Sequence, residues 1–276
     1  MSSQLPVVLV FSATDPTSGA GLQADILTLA SLGCHPLSVV TAITVQDTVG
    51  VEDFLPLDPV WITDQARGVL EDSPVAAFKL GMLGSVEAVV AIAEIVADYP
   101  DIPLVLDPVL ASGRGDELAS EDLIAAMRDL LLPQTTLITP NGIEARRLTE
   151  EDLDEEGEDH DLQVCAEFLL DLGCEYVLIT GSHEQTVAVS NKLYDASGLI
   201  QTLEWERLPG SYHGSGCTLA SAIAAMLAQG LAIDDAVKAA QEYTYESLRA
   251  GYRLGMGQAI PDRLFWARDS EGDEQS

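Results

Sequence analysis

The chain has 276 residues, and its 45 Asp and Glu residues outnumber its 13 Lys and Arg residues, so the formal net charge is −32 at pH 7. This charge argues against nucleic acid and against an anionic membrane as partners, because both attract positively charged surfaces. No apolar run reaches about 18 residues, and the first residues lack the basic and apolar stretches of a signal peptide. The four cysteines form no C-x-x-C motif. We therefore expect a cytoplasmic protein without a transmembrane helix.

Apolar runs that fit buried strands alternate along the chain with segments of helical spacing. The predicted strands cover residues 6–12, 37–45, 75–80, 103–106, 136–139 and 175–180. The predicted helices cover residues 22–32, 59–70, 85–98, 120–132, 162–172 and 233–250, with a short helix from residue 143 and another that ends near residue 230. Two late runs, 187–193 and 200–208, flank a turn and predict a hairpin.

This alternation is typical of one α/β domain, with a mostly parallel central sheet and helices on both faces. We expect residues 1–276 to form that single domain, with flexible ends at 1–5 and 269–276. The acidic run over 150–161 predicts a solvated loop.

A Gly-rich loop runs directly into an apolar helix over residues 213–226. Gly214 and Gly216 allow a tight turn and a close approach to a ligand. The unpaired N–H groups of the first helical turn, together with the helix dipole, favour an anion such as phosphate. Cys217 lies at the mouth of this loop, where the pKa of a thiol tends to fall. The same residues also fit an ordinary capped helix with a small buried cysteine.

The other unusual residues follow predicted strands, where the ligands of parallel α/β sheets bind. They are Asp15 with residues 19–25, Gln46, Gly81 with Met82, Asp107 with Pro108, Asn141 with Glu144, and Thr180 with Gly181. This distribution favours a functional interpretation of the loop over 213–219.

Six motifs, in order, resemble those of the hydroxymethylpyrimidine/phosphomethylpyrimidine kinases of thiamin biosynthesis, over roughly residues 6–262. They occupy residues 18–25, 41–48, 79–84, 106–109, 139–144 and 213–219. The resemblance implies the ribokinase-like fold, a homodimer, and the use of ATP with Mg²⁺. It also implies phosphorylation of 4-amino-5-hydroxymethyl-2-methylpyrimidine and then of its monophosphate.

The resemblance gives one set of residues to the pyrimidine. Gln46 ends an apolar strand, and its amide offers both a donor and an acceptor to an aminopyrimidine edge. Met82 and Val109 would supply apolar walls against the ring. The remaining residues implied on this side are Asp25, Ala13 and Ala20.

A second set belongs to phosphate transfer. The resemblance implies that Cys217 acts as the base, and that the backbone N–H groups of Gly214, Ser215, Gly216 and Cys217 form the anion hole. Asp107 and Glu144 would bind Mg²⁺, which needs few protein ligands. The nucleotide phosphates would contact Asn141, Thr180, Gly181 and Arg114.

Two alternatives remain open at this point. The first is a pyridoxal or pyridoxine kinase of the same fold. This alternative is the weaker fit, because Asp in place of Cys217 would favour it. The second is a pyrimidine-binding paralogue without catalysis. It is kept open because Ala13 stands where the family usually has Gly, and Thr180 where it often has Lys.

Overall fold

The computed structural model describes residues 5–112, 115, 117–150, 161–182, 184 and 186–268. In these residues the strands, in chain order, are β1 (Val7–Ser12), β2 (His35–Val40), β3 (Ala42–Gln46), β4 (Val51–Pro56), β5 (Ala77–Leu80), β6 (Leu104–Leu106), β7 (Leu137–Ile138), β8 (Tyr176–Ile179), β9 (Ala188–Asp195) and β10 (Gly198–Glu206). The α-helices are α1 (Gly21–Ser31), α2 (Pro59–Leu70), α3 (Val86–Ala97), α4 (Glu121–Ala126), α5 (Gly142–Thr149), α6 (Leu162–Asp171), α7 (Ser215–Ala228) and α8 (Ile233–Arg249). A π-helical turn (Met127–Leu131) and a 3-10 turn (Leu132–Gln134) extend α4.

Eight strands form one sheet in the order β10-β9-β8-β7-β6-β5-β1-β2. The strands from β8 to β2 in this order run parallel, and β9 is antiparallel to both of its neighbours. The predicted mostly parallel sheet with a late hairpin is confirmed. The strand order changes direction at β1, which lies between β5 and β2. The carboxyl ends of β1 and β5 therefore frame the crevice where such sheets bind ligands.

The side chains of β1 point alternately into two hydrophobic cores. Leu9 and Phe11 belong to the core covered by helices α2 to α6. Val8 and Val10 belong to the opposite core, which α1, α7 and α8 cover. Burial on both faces explains the unbroken apolar run of this strand.

The single strand predicted over 37–45 is wrong, because the chain leaves the main sheet at Thr41. The Thr41 N–H donates to the carbonyl of Ser12 at 3.1 Å, and its hydroxyl donates to the carbonyl of Met82 at 2.6 Å. Beyond this residue, β3 pairs with β4 in a separate antiparallel sheet. A continuous β-branched run does not reveal which residue changes sheets. β4 is absent from the sequence predictions because Glu52 and Asp53 interrupt its apolar pattern.

Two further expectations bear on the chain as a whole. Among the described residues, no helix is both long and apolar enough to cross a membrane. The predicted flexible ends and the predicted acidic loop lie almost entirely outside the described residues.

Candidate active site

The helix α7 begins in a tight loop that holds its first-turn N–H groups open. We call residues 213–217 the anion loop. Gly214 is the N-cap, with a left-handed φ of 77° that glycine adopts without strain. Its carbonyl accepts from the N–H of Thr218 at 3.0 Å and from the Thr218 hydroxyl at 2.8 Å. The N–H groups of the residues between them have no acceptor within the helix, as at any helix start.

Gly214→Ala is expected to lower kcat by about 100-fold or more, the usual cost of displacing an anion-hole donor. A Cβ there would overlap the carbonyl oxygen of Gly19, so the anion loop would have to move. Gly230→Ala is the matched control, since its φ is also left-handed at 87° but a Cβ there meets no atom within 4 Å. Steady-state kinetics should separate the two variants. Equal kcat values would show that the loop position does not matter.

A cluster of ionisable groups lies at this helix start. Lys79, in β5, is fully buried, and its ammonium lies 3.0 Å from the Asp25 carboxylate and 4.0 Å from Asp107 Oδ2. Ser221 of α7 donates to Asp25 Oδ1 at 2.7 Å. Burial opposes the charge of Lys79, yet the Asp25 carboxylate raises its pKa. The place of Asp25 beside the ring therefore stays a prediction, and its enclosed carboxylate is already bound by Lys79 and Ser221.

Cys217 is half-buried beside this cluster. Burial raises the pKa of the Cys217 thiol to about 12, even though the Lys79 ammonium acts to lower it. The predicted fall in the pKa of this thiol is therefore wrong. The helix dipole, which suggested that fall, is outweighed here by desolvation and by the nearby carboxylates.

Asp107, at the end of β6, faces the start of α7. Burial raises the pKa of its carboxyl to about 6, while Lys79 acts to lower it. Within the described part of the chain, no hydrogen-bond donor reaches its buried Oδ2. An enclosed carboxylate oxygen without a donor fits a site for a cation.

Asn141 and Glu144 form a capping box at the start of α5. The Asn141 side chain accepts from the N–H of Glu144 at 3.0 Å, and Glu144 Oε2 accepts from the N–H of Asn141 at 2.9 Å. Burial and repulsion by Asp107 raise the pKa of the Glu144 carboxyl to about 8. A positive ion between the two carboxylates would relieve that repulsion. Across the described residues, no group of three His, Cys, Asp or Glu side chains could hold a metal by itself.

An apolar cluster lies beside the carboxyl ends of β1 and β5. Ala13, Met82, Ala42 and Leu118 are buried together, and Val109 packs against them. Three of the residues predicted on the pyrimidine side, Ala13, Met82 and Val109, are thus brought together, whereas Ala20 is not part of this cluster. The same face of β3 continues from Ala42 to Gln46.

Gln46 is oriented by two contacts at the end of β3. Its Nε2 donates to Thr44 Oγ1 at 2.7 Å and to the carbonyl of Thr14 at 3.4 Å. Gln46→Ala is expected to raise KM for the acceptor substrate about 10- to 100-fold with kcat little changed, because uniform binding is lost. Gln163→Ala is the control, because Gln163 is an exposed residue of α6. An unchanged KM would remove Gln46 from the pocket.

The loop after β1, residues 15–20, is called the Asp15 loop. The Asp15 carboxylate is buried and accepts from the N–H of Ala20 at 2.7 Å and of Thr17 at 2.8 Å. His213 Nε2 lies 2.9 Å from the same carboxylate. Burial acts to raise the pKa of Asp15, but these hydrogen bonds lower it below its ordinary value. The Asp15 loop and the anion loop are therefore joined, with Ala20 at the junction.

The predicted nucleotide residues follow β7 and β8. Thr180 pairs with Asn141 in a parallel bridge. The Gly181 N–H already donates to Asn191 Oδ1 at 2.9 Å, so it is not available to a phosphate in this arrangement. Arg114 lies outside the described residues.

Several site residues escape the sequence prediction. Lys79 stands in the middle of an apolar strand, where a charged side chain requires a buried partner. Its position in the sequence therefore could have indicated a buried ion pair. His213 and Arg263 are buried polar residues whose partners lie far away in the chain. No local pattern marks such pairs.

Fold and site together define a phosphotransferase of the α/β class that acts on a small molecule, with an anion loop facing buried carboxylates at the crevice of the sheet. A family model described as phosphomethylpyrimidine kinase matches residues 15–262. The chain belongs to that family.

Individual relatives agree with this assignment. A hydroxymethylpyrimidine/phosphomethylpyrimidine kinase of Streptomyces coelicolor is 40% identical over 91% of this chain and 92% of its own. The thiamine biosynthesis bifunctional protein ThiED of Geobacter sulfurreducens is 35% identical over 95% of this chain and 53% of its own. Among solved structures, pyridoxal kinase from Staphylococcus aureus in complex with AMP-PCP and pyridoxal superposes with a TM-score of 0.84, at 28% identity, covering 96% of each chain.

Proposed function

We propose that this protein transfers the γ-phosphoryl group of ATP to the hydroxymethyl oxygen of 4-amino-5-hydroxymethyl-2-methylpyrimidine, and then phosphorylates the monophosphate. The observation that carries this proposal is the position of Cys217, between the open N–H groups of the anion loop and the Asp107 carboxylate. The matching family model and the 40% identical kinase support the substrate class.

In this mechanism the protein mainly positions the reactants and stabilises charge, because phosphoryl transfer needs little covalent help. Gln46 binds the polar edge of the ring, and Ala13, Ala20, Met82 and Val109 enclose it. The N–H groups of Ser215, Gly216 and Cys217 hold the transferring phosphoryl group. The nucleotide side is formed by Asn141, Thr180 and Gly181. For Gly181 to bind a phosphate, its N–H must first release the Asn191 side chain.

Cys217 takes the hydroxyl proton as the phosphoryl group arrives. Because burial raises the pKa of its thiol to about 12, this role requires the pKa to fall when the substrates bind. The Lys79 ammonium and the α7 N-terminus supply positive charge for this fall. Asp107 and Glu144 would hold Mg²⁺, which neutralises phosphate charge when it is bound.

The setting of the enzyme is also part of the proposal. We infer that residues 1–276 act as one kinase domain, that the protein works in the cytoplasm, and that it forms a homodimer. The exposed apolar residues of β3, Ile43 and Val45, support a covered surface on that hairpin.

The test is to incubate the protein with Mg²⁺, ATP and hydroxymethylpyrimidine and to measure products by mass spectrometry. We expect the monophosphate first and the diphosphate later. Pyridoxal is the competing substrate, because the superposed Staphylococcus aureus kinase binds it. Product from pyridoxal alone would favour that second function, and binding without product would favour a paralogue without catalysis.

A further inference from the structure

The segment after α8 delivers a buried guanidinium to the candidate active site. Arg263 is only 3% exposed. Its backbone is held by two helices, because its carbonyl accepts from the Tyr243 hydroxyl at 2.8 Å and from the Ser31 hydroxyl at 2.6 Å. The position of this side chain is thus fixed by α8 and α1.

The guanidinium of Arg263 joins the Asp15 loop to the anion loop. Nη1 donates to the carbonyl of Ser18 at 3.2 Å, and Nη2 donates to the carbonyl of Gly19 at 2.6 Å. Nε donates to Thr218 Oγ1 at 3.1 Å, and that hydroxyl in turn donates to the carbonyl of Gly214. The Arg263 side chain therefore links the two loops that border the proposed pocket, the Asp15 loop and the anion loop.

The Asp15 loop contains a strained residue at the point of attachment. Ser18 has a φ of 59° and is the one non-glycine residue with a left-handed backbone in the described part of the chain. L-residues other than Asn and Asp rarely adopt this conformation, so the surroundings must maintain it. Two hydrogen bonds hold this residue: its N–H donates to the carbonyl of Asp15 at 3.0 Å, and its carbonyl accepts from Arg263 at 3.2 Å.

We propose that Arg263 is a positioning residue, which holds the strained Asp15 loop against the anion loop so that the acceptor hydroxyl lies in line with the transferring phosphoryl group. This inference rests on the proposed function. A guanidinium suits the task because its planar donors have fixed directions, which an ammonium lacks. Phosphoryl transfer is sensitive to such alignment.

The test compares Arg263→Lys with the wild type in the pyrimidine kinase assay. We expect kcat to fall about 10- to 100-fold and KM for the pyrimidine to rise, because alignment is lost. KM for ATP should stay at the wild-type value, since none of the bonds described above goes to Asn141, Thr180 or Gly181 on the nucleotide side. Arg268→Lys is the control, because Arg268 is exposed and pairs with Asp262 at 2.9 Å.

A second substitution distinguishes positioning from plain stability. Ser18→Gly, added to Arg263→Lys, should restore part of the lost kcat, because glycine adopts this φ without help. No restoration, or a wild-type kcat in Arg263→Lys, would overturn the inference. Absence of any product from the wild type would instead overturn the proposed function.

A third variant covers the case in which Arg263→Lys fails to fold, as judged by circular dichroism. Thr218→Val keeps the guanidinium and its bonds to the Asp15 loop, but it removes the hydroxyl that joins Nε to the carbonyl of Gly214. It should reduce kcat in the same direction as Arg263→Lys. A wild-type kcat in folded Thr218→Val would contradict a role for this link.

Discussion

Cys217→Ala is expected to lower kcat for pyrimidine phosphorylation by about 100- to 10,000-fold, the range typical of a lost general base. The substitution removes the only sulfur that the described structure places at the start of α7. The backbone N–H groups of the anion loop and the apolar cluster around Met82 stay in place. The dissociation constant of the pyrimidine, measured by calorimetry, should therefore remain near that of the wild type.

Cys34→Ala is the matched control for this substitution. Cys34 is also buried next to α7, with its sulfur 3.7 Å from the carbonyl of Ala225, but it lies at the opposite end of that helix. Its kcat should equal that of the wild type. A Cys217→Ala enzyme with wild-type kcat would remove the thiol from the mechanism and leave positioning alone to account for catalysis.

Lys79→Met is expected to lower the free energy of unfolding by about 3–5 kcal/mol. The substitution leaves the fully buried Asp25 carboxylate without the ammonium that lies 3.0 Å from it, and it preserves side-chain volume. Urea denaturation at neutral pH would measure the loss. In contrast, Arg67→Met breaks the half-exposed pair with Asp98 and should cost less than about 1 kcal/mol.

Two further measurements test the electrostatic cause of this loss. Adding Asp25→Asn to Lys79→Met removes the unpaired charge, so the double variant should be more stable than Lys79→Met alone. The pKa of Lys79 is raised from 10.5 in the folded protein. Its stabilisation is therefore complete below that value and is lost as the pH rises through the folded-state pKa. A double variant that is no more stable than Lys79→Met would contradict this cause.

The parallel sheet and its helices follow from local patterns in the sequence. Ser85 and Pro59 mark helix starts by their own chemistry, and the predicted bounds of α2 and α3 agree with the structure to within about one residue. The departure of the chain at Thr41 does not follow, because it depends on bonds to Ser12 and Met82 that no local pattern encodes. The type of each element can thus be predicted from local sequence, whereas the residue at which the chain changes sheets depends on tertiary contacts.

Some residues of the candidate site could likewise be predicted from local sequence, and others could not. Asp107 and Cys217 could be located because each lies at the end of a strand or the start of a helix, where ligands bind. For Asp25, the resemblance implied a place on the pyrimidine side, and no local pattern indicated that its carboxylate pairs with Lys79. The pKa of Cys217 could not be predicted either, because it depends on desolvation by residues from several separate elements.

The link between Ser18 and Arg263 has a consequence for how the enzyme matures. The two residues are 245 positions apart in the chain. A nascent chain emerges from its amino end at about 5–20 residues per second, so β1 and the Asp15 loop exist well before their restraint is synthesised. Contacts between such distant positions also form slowly, because a long loop must close first. Under the positioning role proposed for Arg263, the restraint on the Asp15 loop therefore forms only after synthesis has reached the last part of the chain.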